Sequence, residues 1–190
     1  MICGIDEAGR GPLAGPVCAA SVILPASFPV GILGDSKKLS PAKREAARMV
    51  IIDRALAWGI GWASATEIDD INILQASLLA MKRAFDDMLV SARFAAAKID
   101  TATIEAVVDG TFTPDIPVTR RALPKADSLI PEVMAASILA KTARDRLMVR
   151  YSRLYPEYSY EKHKGYPTKA HRELLAIHGP SPIQRLSFRY

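Results

Sequence analysis

The sequence predicts an α/β domain built on a mixed sheet. Three observations carry that reading. The chain has 190 residues, 49% hydrophobic and 24% charged, ordinary values for one globular domain. Short apolar runs of strand length are closed by glycine or proline. Between them lie longer stretches whose apolar residues recur at helical spacing. Met1 to Asp6 reads as a strand running into a glycine-rich turn. Val17 to Leu24, bounded by Gly15-Pro16 and Pro25, reads as a buried strand. Ser40-Pro41 supplies an N-cap and a first-turn proline for a helix to about Ala57, with Ala46, Val50 and Arg54 beside Ala47 and Ile51 on its inner side. Trp58 to Ala65 alternates as a strand, with Trp58, Ile60 and Trp62 on one face. Thr66 opens a helical stretch to about Arg93, placing Ile71, Leu74, Leu78, Met81 and Phe85 on one face. Ile104 to Val108 is a short strand ending at Asp109-Gly110, and Ala122 to Lys125 is a short extended piece. Pro131 to about Arg153 reads as a long helix, and Lys169 to His178 as another. No internal repeat or low-complexity linker interrupts the pattern, and strands followed by alternating helices and strands give a mixed sheet.

Composition narrows the function classes. No apolar stretch approaches the roughly 18 residues needed to span a bilayer. The richest, Leu13 to Leu24, contains Gly15, Pro16 and Ser21, and MICGIDEAGRG lacks the basic start and apolar block of a signal peptide. A soluble protein is expected, without membrane attachment. Cys3 and Cys18 sit in apolar surroundings without CxxC spacing, so they read as buried small hydrophobes in a reducing cytoplasm. The 25 basic and 20 acidic residues give a net charge of +5. Lys141 to Tyr190 holds 11 basic and 4 acidic residues, whereas the preceding 140 hold 14 and 16. A basic C-terminal segment on an acidic-leaning body fits a polyanion partner; a solvated helix face accounts for the charge equally well.

The chemistry-bearing residues are four acids near strand ends: Asp6 and Glu7 ahead of Ala8-Gly9-Arg10-Gly11, Asp109 ahead of Gly110, and Asp127 ahead of the long helix. Neighbouring strand residues point to opposite faces unless the strand bends, which the glycines permit. Clustered carboxylates repel and raise one another's pKa unless a cation neutralises them, and an oxygen-only set suits Mg²⁺ or Mn²⁺. Two such ions can activate water and stabilise a leaving oxygen in phosphodiester hydrolysis. Each acid taken singly is equally explained as a turn residue.

Seven blocks in order resemble the type 2 ribonucleases H, the ribonuclease HII family. They are GIDEAGRGPLAGPV (Gly4 to Val17), DSKKLSPAKRE (Asp35 to Glu45), EIDDINILQASLLAM (Glu67 to Met81), VVDG (Val107 to Gly110), KADS (Lys125 to Ser128), AASILAKTARDR (Ala135 to Arg146) and HKGYPTKAH (His163 to His171). The larger type 3 relatives carry an N-terminal extension that is not expected here. The resemblance implies an RNase H-like fold with a five-stranded mixed sheet flanked by helices, a catalytic domain over 1–150 and a basic helical segment over 151–190 packed on it. It implies Asp6, Glu7, Asp109 and Asp127 as catalytic metal ligands for two Mg²⁺ or Mn²⁺ ions. The implied substrates are RNA–DNA hybrids and duplex DNA with single embedded ribonucleotides, cut on the 5′ side to leave 3′-hydroxyl and 5′-phosphate ends. A monomer is expected.

The resemblance also implies how substrate is read. The 2′-hydroxyl distinguishes RNA from DNA and both donates and accepts. Backbone groups of Gly9, Arg10 and Gly11 correspond to the turn that contacts it, and Tyr166 to a tyrosine that stacks on the next sugar and favours deoxyribose there. Lys37, Lys38, Lys141 and Arg144 are candidate phosphate contacts, with salt bridging as their alternative role. The turn misses G-x-G-x-x-G spacing, and acids ahead of it would repel a dinucleotide phosphate. His163, His171 and His178 have no partners at zinc spacing; proton transfer by one of them stays open. Three positions depart from the family pattern: Thr111 for asparagine, Ala126 for glycine, and Gln184 for the histidine of a His-Arg-x-Ser-Phe element. An RNase H-like DNA-structure nuclease would use similar acids without the Gly-Arg-Gly and Lys-Gly-Tyr pair. A non-catalytic hybrid-binding module would lack an acid, and none is missing.

Overall fold

A computed structural model describes residues 1–33 and 39–189. Lys37 and Lys38 lie outside the described residues. Five strands form one sheet: β1 (Ile2–Ala8), β2 (Val17–Ile23), β3 (Ala57–Ala63), β4 (Glu105–Asp109) and β5 (Thr119–Leu123). Their spatial order is β3-β2-β1-β4-β5. The β1–β2 and β2–β3 pairs are antiparallel, whereas β1–β4 and β4–β5 are parallel. This is the mixed five-stranded sheet expected.

The six helices are α1 (Pro41–Arg54), α2 (Ala65–Leu89), α3 (Ala92–Ala97), α4 (Pro131–Leu154), α5 (Tyr160–His163) and α6 (Lys169–His178). β2 is buried along its whole length because both faces are covered. Val17, Ala19 and Ile23 pack with Cys3, Ile5 and the α2 residues Ala80, Met81, Ala84, Phe85 and Met88. Cys18, Ala20 and Val22 pack with Ala47 and Ile51 of α1 and Ala135, Ala136, Ile138, Leu139 and Ala140 of α4. Period-two alternation of β2 therefore divides the core into two layers. Both cysteines are buried, and burial pushes the Cys3 thiol up to about 12. Among the described residues, no helix is long and apolar enough to cross a membrane.

Glycine sets how closely the helices approach. A Cβ on Gly4 would lie 2.1 Å from the Glu132 carbonyl carbon of α4, and one on Gly61 would lie 2.0 Å from the Ala80 carbonyl oxygen of α2. α2 thus rests directly on the backbone of β3, while Trp58, Ile60 and Trp62 share the other face, as expected.

Three elements differ from the sequence expectation. The stripe on α2 is broken at Asn72, whose φ is 67° and whose Oδ1 accepts from the amides of Leu74 and Gln75. The side chain restarts the helix there, so Ile71 is exposed and the inward face resumes at Ala76. α1 ends at Arg54, with Ala46 and Arg54 exposed; only Ala47 and Ile51 are buried, as one row of an edge-lying helix. The extended piece before Asp127 is an edge strand beginning at Thr119. Its Arg120 and Arg121 concealed it from an apolar pattern, and such charges discourage further strand pairing.

Replacing Gly61 with alanine should force α2 off β3 and destabilise the protein by about 1–3 kcal/mol, read from the midpoint of urea unfolding.

Candidate active site

The sheet topology brings the acids together. β1 and β4 run parallel with Ile5 opposite Val108, so Asp6 and Asp109 end on the same edge. Gly4 and Val107 both meet α4, and residues two further along a strand share that face. Asp6 and Asp109 therefore point to the α4 side, and Asp127 joins them from the 3₁₀ turn Ala126–Ser128 that leads into α4. One carboxylate oxygen from each of Asp6, Asp109 and Asp127 lies within 4.8 Å of the others. Glu7 stands outside that triad, since the next residue of a strand points the other way. It lines the same cleft and pairs at 3.5 Å with Arg10.

Burial first, then the charges of Glu7 and Asp109, raise the Asp6 carboxyl well above its ordinary value; a Ser137 hydrogen bond and the Glu7 amide oppose this. Burial likewise raises Glu7, against the pull of Arg10. Oε2 of Glu7 is buried without a hydrogen-bond partner. An all-oxygen donor set, mutual repulsion and an unsatisfied carboxylate oxygen fit a hard divalent cation.

Asp6, Glu7, Gly9, Arg10, Gly11, Asp109, Ser137, Lys141 and Tyr166 line a cleft of ≈ 250 Å³. Three of the expected acids, the glycine turn and the tyrosine therefore share one surface, and Asp127 reaches it through its proximity to Asp6 and Asp109. Gly11 faces the Tyr166 ring: a Cβ there would sit 3.8 Å from it. Lys141 bonds Asp145 at 2.8 Å, with Nζ 5.7 Å from the centre of the Tyr166 ring.

Arg144 is a correction. It is 1% exposed, and its guanidinium donates to the carbonyls of Pro16, Ala14 and Lys164, so it faces the interior and not a phosphate. Arg185, the arginine of the His-Arg-x-Ser-Phe element, to which no role was assigned from the sequence, is equally buried. It donates to the carbonyls of Gly15, Arg10 and Gly9. Asp69 of α2 anchors the following residues by accepting from the amides of Leu186 and Ser187. Ser137 was also missed. It lies one turn beyond Val133, where α4 passes Asp6, and only its place within AASILAKTARDR marked it. Arg146, Arg150 and Arg153 of α4 are exposed and line a neighbouring groove of ≈ 460 Å³ with Arg44 and Lys164. The departure at Ala126 is accommodated because Lys125, with φ 64°, takes the left-handed position; Ala126 itself is buried against Val107 and Val133. Gln184 is buried with neither side-chain polar atom hydrogen-bonded.

A carboxylate triad beside a glycine turn, on the parallel half of a β3-β2-β1-β4-β5 sheet, defines a metal-dependent nuclease of RNase H-like fold. The comparisons refine the class. The family model described as Ribonuclease HII matches residues 3–190. Ribonuclease HII of Treponema denticola is 58% identical over 193 residues, covering 99% of this chain and 98% of that protein. Ribonuclease HII of Nitrosospira multiformis is 48% identical over 187 residues, covering 98% and 88%. The crystal structure of ribonuclease H2 from Pyrococcus horikoshii OT3 is similar with a TM-score of 0.73 and 26% identity, over 99% of this chain and 93% of that one. The chain belongs to the ribonuclease HII family: it is a metal-dependent endoribonuclease acting on RNA paired with DNA.

A carboxyl raised by burial and like charge weakens the fold as pH climbs above its ordinary value of 3.8, fully so above its folded-state pKa. Metal-free Asp6→Asn should therefore melt higher than the unsubstituted protein near neutral pH, and the gap should close as pH falls toward 3.8. Added Mg²⁺ should raise the melting temperature of the unsubstituted protein more than that of the variant.

Proposed function

We propose that the chain cuts on the 5′ side of single ribonucleotides embedded in duplex DNA as well as within hybrids, leaving 3′-hydroxyl and 5′-phosphate ends. The observation that carries this reading is the turn Gly9–Gly11 standing between the acids and Tyr166 in one cleft. The Gly9 and Arg10 carbonyls are drawn inward by Arg185. In a trans peptide the N–H points opposite to its C=O, so the Arg10 and Gly11 amides point away from Arg185, on the side lined by the cleft. Two fixed donors there suit the 2′-hydroxyl of a ribose and leave a deoxyribose unrecognised. Tyr166 lies across the turn, where it can stack on the sugar of the next nucleotide and favour deoxyribose.

The catalytic residues in this reading are Asp6, Glu7, Asp109 and Asp127. Two divalent ions held by them, Mg²⁺ or Mn²⁺, would supply an activated water and charge stabilisation of the departing 3′-oxygen. Ser137 holds the Asp6 carboxylate in place, and Arg10 orients Glu7. Among the described residues, Lys141 at the cleft and Arg150 and Arg153 beyond it are placed to contact phosphates. We further propose that it works as a monomer in the cytoplasm, where its two buried thiols suit a reducing environment.

Cleavage of duplex DNA carrying one ribonucleotide, with and without Mg²⁺, tests the reading directly. Asp109→Asn should abolish the cut while leaving substrate binding intact; near-normal cleavage would refute the site. Tyr166→Ala should slow cutting at the embedded ribonucleotide by about tenfold more than cutting of a continuous hybrid. In Arg150→Ala/Arg153→Ala, the plot of log affinity against log salt should be shallower by about 2, with the single-turnover rate at saturating protein unchanged.

A further inference from the structure

His163 and His171 are absent from the reaction described above, yet both are buried and hydrogen-bonded to the Tyr166 main chain. Their rings stack with centroids 4.3 Å apart and planes 17° from parallel. Tyr160 packs its edge against both, at 5.8 and 5.6 Å, and is itself tied to Ser181 through its hydroxyl. The hydrogen bonds fix the tautomers, because a carbonyl only accepts. Nε2 of His163 lies 2.8 Å from the Tyr158 carbonyl and so carries the proton; its bare Nδ1 accepts from the Gly165 amide at 3.2 Å. Nδ1 of His171 lies 3.0 Å from the Tyr166 carbonyl and donates to it, leaving Nε2 bare, buried and unpartnered. The Tyr166 amide in turn donates to the His163 carbonyl at 2.9 Å. Main-chain groups of residues 165 and 166 are thus held by the two stacked imidazoles and their backbone.

We propose that His163 and His171 are positioning residues that clamp the main chain at Tyr166 and so aim its ring at the substrate sugar. The proposal rests on the reading of Tyr166 given above. The clamp works only with both rings neutral. A proton on Nδ1 of His163 turns the acceptor for Gly165 into a donor facing a donor. A proton on His171 sets a charge against its stacked neighbour. Burial keeps both below the ordinary histidine value; Lys162 of α5 and Lys164 just after it add to this at His163, Glu161 of α5 opposes them, and His163 adds to it at His171. From α4, Arg144 approaches through its bond to the Lys164 carbonyl. Arg172 and Glu173 of α6 are exposed, and the C-terminal segment contributes Ser181 through Tyr160. With depressed folded-state values, the neutral pair is intact near neutral pH, and acidification below about 6.5 favours states in which it is broken.

The test uses the Mg²⁺-loaded enzyme and reads the ratio of single-turnover cleavage at an embedded ribonucleotide to that of a continuous hybrid. His171→Phe keeps an aromatic stack and removes the donor; the ratio should fall by about tenfold, with no further fall when Tyr166→Ala is added. His171→Asn restores a donor at the Nδ1 position and should stay within about twofold of the unsubstituted ratio. That ratio should drop as acidification passes through the depressed histidine values, which lie under the ordinary 6.5, and be flat in Tyr166→Ala. Amide hydrogen exchange at Gly165 and Tyr166 should quicken in His171→Phe and at low pH. An unchanged ratio and unchanged exchange in folded His171→Phe would overturn the clamp. An unchanged ratio in Tyr166→Ala with quickened exchange in His171→Phe would instead overturn the role of Tyr166 and keep the clamp as a structural device.

Discussion

Two buried arginines, bonded to main-chain carbonyls and to no carboxylate among the described residues, hold the cleft in shape. Arg144 and Arg185 together engage six carbonyls, those of Gly9, Arg10, Ala14, Gly15, Pro16 and Lys164. Burial and the nearby charge of Arg144 press Arg185 down to about 9, still protonated in neutral solution. Charge-assisted hydrogen bonds of this kind contribute roughly 1.5–3 kcal/mol each, and removing the donor leaves several buried acceptors unmet. Through these bonds the β1–β2 connection, the α4 helix, the loop before Tyr166 and the C-terminal segment become one rigid unit. Gly9 follows from the same arrangement. It has φ 103°, and a Cβ there would fall 2.1 Å from Nε of Arg144. The glycine is therefore required from beneath, by the arginine, and the proposed approach of a sugar would be a second demand on the same turn.

The acids present the opposite balance. The parallel pairing of β1 with β4 leaves Asp6 and Asp109 side by side at one sheet edge, and α4 closes over them. At Asp6 the Ser137 hydrogen bond and the Glu7 amide oppose the rise that burial and the neighbouring carboxylates cause, and a divalent cation would oppose it further. The rigid arginine-held turn and the strained carboxylates are neighbours along β1, separated by Ala8 alone. Stability lost at Asp6 is offset within a few residues, which is how a short strand can end in a charge cluster and stay folded.

Much of this was legible in the sequence for physical reasons. β2 is a fully buried strand and reads as an unbroken apolar run; α6 carries its Thr168 cap and a terminal glycine, and its limits came out as expected. The four acids were visible because carboxylates at strand ends are few and the surrounding blocks are distinctive. What escaped depends on contacts distant in sequence. Arg144 sits among exposed arginines of α4, and nothing local separates a side chain meeting Ala14 and Pro16 from one meeting solvent. Which three of the four acids bring their oxygens together depends on the pairing of β1 with β4, and nothing local to Asp6 and Glu7 separates them. Asn72 carries no helix-breaking proline or glycine, so its backbone break was hidden within a convincing apolar period.

The cleft has walls of unequal stiffness, and this bears on discrimination between sugars that differ by one oxygen. The Gly9–Gly11 wall is bonded through charged donors that stay protonated across the working pH range. Fixed amides there can reject a missing hydroxyl, because an unmet buried donor is expensive only if it cannot move away. The Tyr166 wall is bonded through neutral imidazoles and main-chain amides, with the tyrosine ring 39% exposed. A stacking surface has no single hydrogen bond to satisfy and tolerates such freedom. In the proposed reading, the polar test of the 2′-hydroxyl would therefore sit on the wall that cannot yield, and the shape test of the next sugar on the wall that can.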